Sequence, residues 1–231
     1  MRCFLHLRGN PENLKRSVVS MINMVKLPTK KSNLFLRVAK GHFATSHSHI
    51  NYYIDVTLTK FRLSEARAAA AELVREYKST TIVDTILCLD GTEVIGACMG
   101  SELTKAGYSN MNAHQTIYVV TPEHTTGSQL IFRENTAPMI QDKHVLVLAA
   151  SVTTGYTVQG AVEAIRYYGG EPAGVTAIFA TVDKCAGYPV ASIFDPHDLP
   201  DYQSYDAHSC PWCKEGKKID ALVNSFGYSS L

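Results

Sequence analysis

The stretch Val145-Leu-Val-Leu-Ala-Ala-Ser-Val-Thr-Thr-Gly-Tyr-Thr157 constrains the fold more than any other part of the chain. Its first six residues are apolar without alternation, the pattern of a strand buried on both faces. Two threonines, a glycine, a tyrosine and a third threonine follow. Val158–Tyr168 then has helical composition and is closed by Gly169-Gly170. A buried strand feeding through a glycine turn into a helix is half of a parallel β–α–β unit. The joint also has a chemical use, because the first backbone N–H groups of a helix have no partner within it. With the hydroxyls of Thr153, Thr154 and Thr157 and the main chain of Gly155 and Tyr156, they form a phosphate cradle. Gly155 lets the backbone approach an anion closely. The alternative is an N-cap and tight turn that hold no ligand.

The rest of the chain repeats the strand–helix alternation. Ser64 as N-cap, Glu65 at the helix start and a run of strong helix formers predict a helix over Glu65–Tyr77. Ile82–Leu89 reads as a buried strand, followed by the turn Asp90-Gly91-Thr92 and a helix over Glu93–Ala106 that Gly107 stops. Ile117–Val120 and Val175–Thr181 read as strands. This order implies an α/β fold with a mostly parallel sheet flanked by helices. Residues 13–25 are patchily apolar, a short helix or strand that Pro28 ends. Residues 34–60 open with a helix or strand, pass through the histidine-rich loop Thr45–His49 and close in a strand at Tyr52–Leu58. Residues 121–135 read as a long irregular loop of the kind that is functional or mobile. From Asp195 onward the chain reads as a polar, non-sheet appendage ending in a helix over Lys217–Ser225. The expected division is 1–60, an N-terminal basic segment; 61–194, the α/β core; and 195–231, the cysteine-containing tail.

Charge excludes little globally, since the formal net charge is +1, but its distribution is uneven. Between Glu12 and Asp55 no acidic residue interrupts Lys15, Arg16, Lys26, Lys30, Lys31, Arg37 and Lys40. That segment is either a solvated basic face or a rim that attracts a polyanion such as a pyrophosphorylated sugar. It lacks the interleaved aromatics of a nucleic-acid arm, so no nucleic-acid partner is expected. Arg2, His6, Arg8 and Asn10 argue against a signal peptide, and no apolar run is long enough to span a bilayer, so no membrane partner is expected either. Four of the six cysteines lie scattered, apart from the pair Cys210 and Cys213, which points to a reducing, cytoplasmic location rather than a disulfide framework.

On these residues the sequence resembles the type I phosphoribosyltransferases, most closely their orotate-specific branch. The family signature is a hydrophobic strand, two acidic residues, two variable ones, then Thr-Thr-Gly and a small or hydroxyl pair. Val145–Leu148 match the strand and Thr153-Thr154-Gly155 the cradle. Gly41-His42-Phe43 followed by Tyr52-Tyr53-Ile54-Asp55 is similar to the family's N-terminal hood. Leu89-Asp90-Gly91-Thr92 falls where the pyrophosphate-contacting loop lies, and Ala161–Ile178 follows the downstream pattern. The resemblance spans roughly residues 34–182. It implies phosphoribosyl pyrophosphate or a nucleotide as ligand, Mg2+ as cofactor and a homodimer. It also implies hood contacts to substrate from Phe43, Tyr52 and Tyr53, and pyrophosphate contacts from Asp90, Gly91 and Thr92.

The departures fall on charge. The acidic pair of the signature is replaced by Ala149 and Ala150, which carry neither charge nor acceptor. Where the orotate branch has a basic loop, residues 121–135 offer Arg133, and His124 when protonated. The nearest substitute carboxylates are Asp90 and Glu93, whose other reading is acids at a helix start. Asp90, Glu93 and Arg133 are therefore the catalytic candidates. Two function classes follow: transfer of phosphoribose to a nucleobase such as orotate, or a non-catalytic sensor or partner subunit that binds the same ligand.

A second constellation is Cys210-Pro-Trp-Cys213. It has the form of half a structural Zn2+ site, with His208, Cys185, His197 or a second subunit to complete it, or of two free thiols. A redox pair fits less well, since the motif is far from the start of the α/β unit. An interaction module built on this tail is a third function class. His42, His47 and His49 are read as hood residues facing substrate or solvent rather than metal ligands, because their spacing is mixed and no carboxylate joins them before Asp55.

Overall fold

The computed structural model describes residues 22–28, 34–113, 115–126 and 129–231. The segment Arg2–Asn10, the basic residues Lys15, Arg16, Lys30 and Lys31, and most of the apolar stretch 13–25 lie outside the described residues. In chain order the elements are β1 (Val25–Pro28), β2 (Phe35–Ala44), β3 (Ser48–Asp55), α1 (Thr57–Phe61), α2 (Leu63–Leu73), β4 (Thr85–Cys88) and α3 (Glu93–Leu103). They continue with β5 (Tyr118–Val120), β6 (Glu123–His124), β7 (Leu130–Ile131), β8 (His144–Val152), α4 (Tyr156–Tyr167), β9 (Glu171–Ala180), β10 (Lys184–Cys185) and β11 (Tyr188–Phe194). The tail adds β12 (Ser204–Asp206), α5 (Pro211–Lys214), β13 (Ala221–Asn224) and β14 (Gly227–Ser230).

The fold is α/β. Its central sheet runs β10-β11-β9-β8-β4-β5, and every neighbouring pair is parallel except β10 with β11. The unbroken apolar run of β8 has a simple cause, since both of its faces are covered. Leu146, Leu148 and Ala150 join a cluster with Ala66, Ala69, Ala70 and Leu73 of α2 and Ile95, Met99 and Leu103 of α3. Val145, Val147 and Ala149 face Val158, Ala161, Val162 and Ile165 of α4. From β4 the chain moves outward to β5 on one side, then returns to β8 on the other side and proceeds to β9. The strand order therefore reverses between β4 and β8, and ligands in open α/β sheets bind beyond the carboxyl ends of strands at such a point.

A second sheet, the hood, runs β12-β3-β2-β13-β14, with β1 also paired to β2. Here the structure corrects the sequence reading of the tail. Residues 217–225 hold no helix: β13 pairs in parallel with β2, Ala221 opposite Phe43 and Leu222 opposite Ala44, and forms a hairpin with β14. Ala221 and Val223 are buried while Leu222 and Asn224 are exposed, a period of two that belongs to a strand. β12 pairs with β3, so the tail is built into the hood sheet rather than appended to it. The expected strand Tyr52–Leu58 starts earlier and stops at Asp55, whose carboxylate accepts the Thr57 N–H and opens α1 instead. α2 begins at Leu63 with Arg62 in the capping position, so Ser64 is not the cap. Residues 121–135 are not a structureless loop, because β6 and β7 pair as a short antiparallel hairpin. Among the described residues, no helix is long and apolar enough to cross a membrane.

Candidate functional site

The two chain segments that leave β4 and β8 at the reversal point are Leu89–Thr92 and Thr153–Gly155. They meet at a cavity of about 460 Å3, closed on its other sides by the hood and by the β13–β14 hairpin.

On the β8 side, Gly155 is the first residue outside α4 and has φ 80°, the left-handed region that glycine enters without strain. A side chain there has no room either, since a Cβ would stand 2.5 Å from Cys185 Sγ. Intrahelical bonding begins with Gln159 N–H donating to Gly155 O at 2.8 Å, and no side chain caps the helix. The first-turn N–H groups therefore point toward the loop without helical partners. Thr181 Oγ1 donates to Thr153 O at 3.0 Å and holds the loop's shape. Thr153, Thr154, Tyr156 and Thr157 line the cavity, and so does the exposed Ser151. Ala149 and Ala150 do not: they are 1% and 0% exposed and packed in the two cores.

On the β4 side, Asp90 lines the cavity and is itself left-handed, with φ 58°, followed by Gly91 at φ 75°. A non-glycine residue in that region is held there by its surroundings. Lys60 of α1, 1% exposed, supplies the restraint: its Nζ donates to Asp90 O at 2.7 Å and to Ser225 O at 2.6 Å. The ammonium lies 5.3 Å from the Phe61 ring centre and 5.2 Å from that of Phe226. Burial lowers the Lys60 pKa, against the pull of Asp90, Glu93 and Asp55. Ser225 Oγ in turn donates to Asp90 Oδ1 at 3.1 Å, so the tail hairpin is tied to the β4 loop.

The hood contributes His47, Tyr53, Ile54 and Val56, with Phe179 and Tyr202 beside them. Burial, with Asp55 and Tyr228 nearby, pushes the Tyr53 phenol up to about 12, so it remains a neutral donor at physiological pH. His47 packs against the Tyr156 ring at 5.3 Å, bridging hood and cradle.

Of the residues singled out from sequence, Asp90, Thr153, Thr154, Tyr156, Thr157 and Tyr53 thus surround one cavity, with Gly155 as its turn. His47 lines it as well, and the others do not. Phe43 is a buried core residue 6.1 Å from the Tyr53 ring, and Tyr52 points to the opposite face, where its hydroxyl donates to Pro200 O. Gly91 is the turn residue above Lys60. Thr92 is fully buried and donates to Leu89 O at 2.7 Å, which closes the turn rather than facing a ligand. Glu93, at the start of α3, accepts from Thr121 Oγ1 at 3.1 Å. Arg133 is exposed and occupied by Glu123, with Nη2 2.7 Å from Oε2 across the β6–β7 hairpin. Lys60 and Ser225 are the residues that sequence reading missed: nothing in their local pattern marks contacts 30 and 165 positions apart.

For His42 and His49, the reading as residues facing substrate or solvent is corrected. His42 and His49 face the cysteine pair, and one ligand atom from each of His42, His49, Cys210 and Cys213 falls within 4.8 Å of the others. Of the ligands suggested by sequence, Cys185 lies beneath Gly155, His197 lies against Asp195, and His208, whose backbone N–H donates to Asp206 Oδ1, is not in the group. Burial, then the neighbouring His42, lower the pKa of His49 against the opposing effect of Asp206.

No protein-family model matches the chain. The orotate phosphoribosyltransferase of Chlorobaculum parvum is 27% identical over 183 residues, covering 78% of this chain and 86% of that protein. Among solved structures, an orotate phosphoribosyltransferase of Mycobacterium tuberculosis H37Rv aligns with a TM-score of 0.49 at 19% identity, covering 71% of this chain and 92% of that one. A phosphoribosyltransferase from Corynebacterium diphtheriae aligns with a TM-score of 0.48 at 22% identity, covering 70% and 90%.

Proposed function

We propose that the cavity holds a phosphoribosyl compound, either phosphoribosyl pyrophosphate or a nucleoside 5′-phosphate, and that its reaction is transfer of phosphoribose to a nucleobase such as orotate. The observation that carries this is the convergence, at the strand-order reversal, of an uncapped helix start, three threonine hydroxyls, Asp90 and an aromatic hood around one cavity. Similarity to the Chlorobaculum enzyme supports it. In this reading the 5′-phosphate lies on the Thr153–Thr157 turn, held by backbone N–H groups and hydroxyls. The sugar lies toward Ser151 and Asp90, and the base against Tyr53 and His47. A ring nitrogen of the base bonds to the anomeric carbon as the bond to pyrophosphate breaks, and the electron pair leaves with pyrophosphate. The protein's part is to position both reactants and to offset charge on the sugar. Among the described residues lining the cavity, Asp90 is the carboxylate available for that second task.

The magnesium implied by the family resemblance would meet, among the described residues, a single protein carboxylate. One carboxylate lines the cavity, and it already accepts from Ser225. Magnesium is commonly held by one or two carboxylates together with waters and substrate phosphate oxygens, so Asp90 would hold it jointly with the pyrophosphate of the ligand, where it would offset charge on the leaving group. The reading carries a cytoplasmic location and a homodimer, for which the exposed Leu58, Phe61, Leu63 and Phe226 offer apolar surface to cover.

A second reading, a non-catalytic sensor or partner subunit for the same ligand, is favoured by a specific pair of facts. Ala149 and Ala150 are packed in the cores, and Arg133 is held by Glu123. Loss of one well-placed electrostatic group costs about a hundred- to a thousandfold in rate. Pyrophosphate release with phosphoribosyl pyrophosphate, magnesium and a panel of nucleobases, run beside calorimetry with the same ligand, separates the readings. Turnover establishes transfer, and binding without turnover on any base establishes the second reading. Absence of both at millimolar ligand would sink the phosphoribosyl assignment altogether.

A further inference from the structure

We propose that His42, His49, Cys210 and Cys213 form a closed, four-coordinate structural zinc site that clamps the C-terminal segment onto the β2–β3 hairpin.

Four of the six ligand-atom separations are close to those of a tetrahedron, and all six are within 4.8 Å. Zinc–sulfur bonds of about 2.3 Å and zinc–nitrogen bonds of about 2.0–2.1 Å, at tetrahedral angles, set sulfur–nitrogen separations near ~3.6 Å and nitrogen–nitrogen separations near ~3.3 Å. His42 Nε2 lies 3.6 Å from Cys210 Sγ and 3.7 Å from Cys213 Sγ. His49 Nδ1 lies 3.3 Å from Cys213 Sγ and 3.1 Å from His42 Nε2.

Hydrogen bonding alone does not account for this cluster. His42 Nδ1 sits 3.1 Å from both Lys217 O and Lys218 O, acceptors that place the ring proton on Nδ1. Nε2 then presents a single lone pair, yet three heavy atoms converge on it. One lone pair accepts one hydrogen bond well, whereas a cation at the centre satisfies all four ligand atoms at once. The carbonyls behind Nδ1 are the outer contacts that orient a metal-binding histidine.

The local architecture is built to deliver these side chains. The β2–β3 register shifts between Lys40 and Phe43, and such a bulge re-aims a side chain toward a neighbouring element. It falls on Gly41-His42, where a Cβ at position 41 would come within 2.6 Å of Asp220 Oδ2. Asp220 Oδ2 accepts the His42 backbone N–H at 2.7 Å, and Asp220 N–H donates to His42 O at 2.8 Å. The Cys-Pro-Trp-Cys segment turns through α5 so that both sulfurs reach His42 Nε2, with Cys210 buried and Cys213 at the exposed edge. The Trp212 ring packs against His42 at 5.3 Å and Tyr205 at 5.1 Å. Two thiolates and two imidazoles in a tetrahedron select zinc over the oxygen-seeking Mg2+ and Ca2+. With four protein ligands there is no open position, which makes the site structural. The clamp lies just before β13, whose residues Leu222–Asn224, with Ser225, form one wall of the cavity.

The test is elemental analysis of the full chain, purified under reductant without chelator and without nucleotide, so that it is independent of the ligand assignment. About one zinc per chain is expected, falling below about 0.1 in Cys210→Ser and Cys213→Ser and kept in Cys98→Ser. Cobalt exchanged into the wild-type protein should show thiolate charge-transfer absorption and tetrahedral d–d bands. Should the serine variants fail to fold, the wild-type protein answers alone: its Tm should fall with a zinc chelator and return with Zn2+ but not Mg2+. No zinc in the wild-type protein after reconstitution, a different metal held by these four residues, or a Tm indifferent to chelator would overturn the proposal.

Discussion

At residue scale, Gly155 joins backbone geometry to ligand chemistry. It combines φ 80° with a Cβ position 2.5 Å from Cys185 Sγ, so Gly155→Ala is opposed both by conformation and by contact. We expect a loss of about 1–3 kcal/mol in urea denaturation and at least about tenfold weaker phosphate-ligand binding by calorimetry. Ala149 and Ala150 give the opposite kind of prediction. Introducing an acid with Ala150→Asp places an unpaired carboxylate in a core position that is 0% exposed. A stability loss of at least about 2–3 kcal/mol is expected rather than a gain of turnover. If that variant melts with the wild-type protein, position 150 faces the cavity and its packing role is wrong. Thr153–Thr157 were legible from sequence because their chemistry is local: five consecutive residues make the turn, the hydroxyls and the helix start. The roles of Lys60, His42 and His49 were not. Their partners lie 165, 168 and 164 positions away, at separations where spacing carries no information.

At the scale of elements, the starts of β4 and β8 are joined by one carboxylate. Asp84 Oδ2 accepts both the backbone N–H and the ring N–H of His144 at 2.8 Å. Burial pushes the Asp84 carboxyl upward, but these hydrogen bonds outweigh it and hold the pKa below its ordinary 3.8. Because the folded-state pKa is the lower one, the stabilisation is present above the unfolded value and is lost as pH falls through the folded one. Wild-type protein should therefore exceed Asp84→Asn in stability at pH 7, and the gap should close below about pH 4 when followed by urea denaturation. An unchanging gap would mean that the carboxylate charge has no part in joining the strands. The strands and helices of the central sheet were readable because burial on both faces leaves unbroken apolar runs such as Val145–Ala150. The tail was misread because β13 is four residues long and gains its strand character by pairing with β2. α1 was hidden because Thr57-Leu58-Thr59 has strand-forming composition, overridden by the Asp55 carboxylate at its start.

At the scale of the whole molecule, two sheets meet over a reversal in strand order. The central sheet supplies the cradle and the Asp90 turn, and the hood supplies aromatic walls. The tail, woven into the hood, reaches back through Ser225 to Asp90 and through Lys60 to the same loop. Legibility ends where the chain closes on itself: the alternation of strands and helices announced the α/β core, but not that the last residues complete a wall of the cavity. In the proposed function that cavity holds a phosphorylated sugar at the start of α4. Calorimetric titration of ribose 5-phosphate into the wild-type protein and into the Thr154→Val/Thr157→Val double variant tests this most directly. Hydrogen bonds to a charged group contribute about 1.5–3 kcal/mol each, so saturable one-to-one binding should weaken about tenfold or more in the variant, with Tm unchanged. Binding that is equally tight in both proteins, or none to the wild-type protein at millimolar ligand, would contradict it.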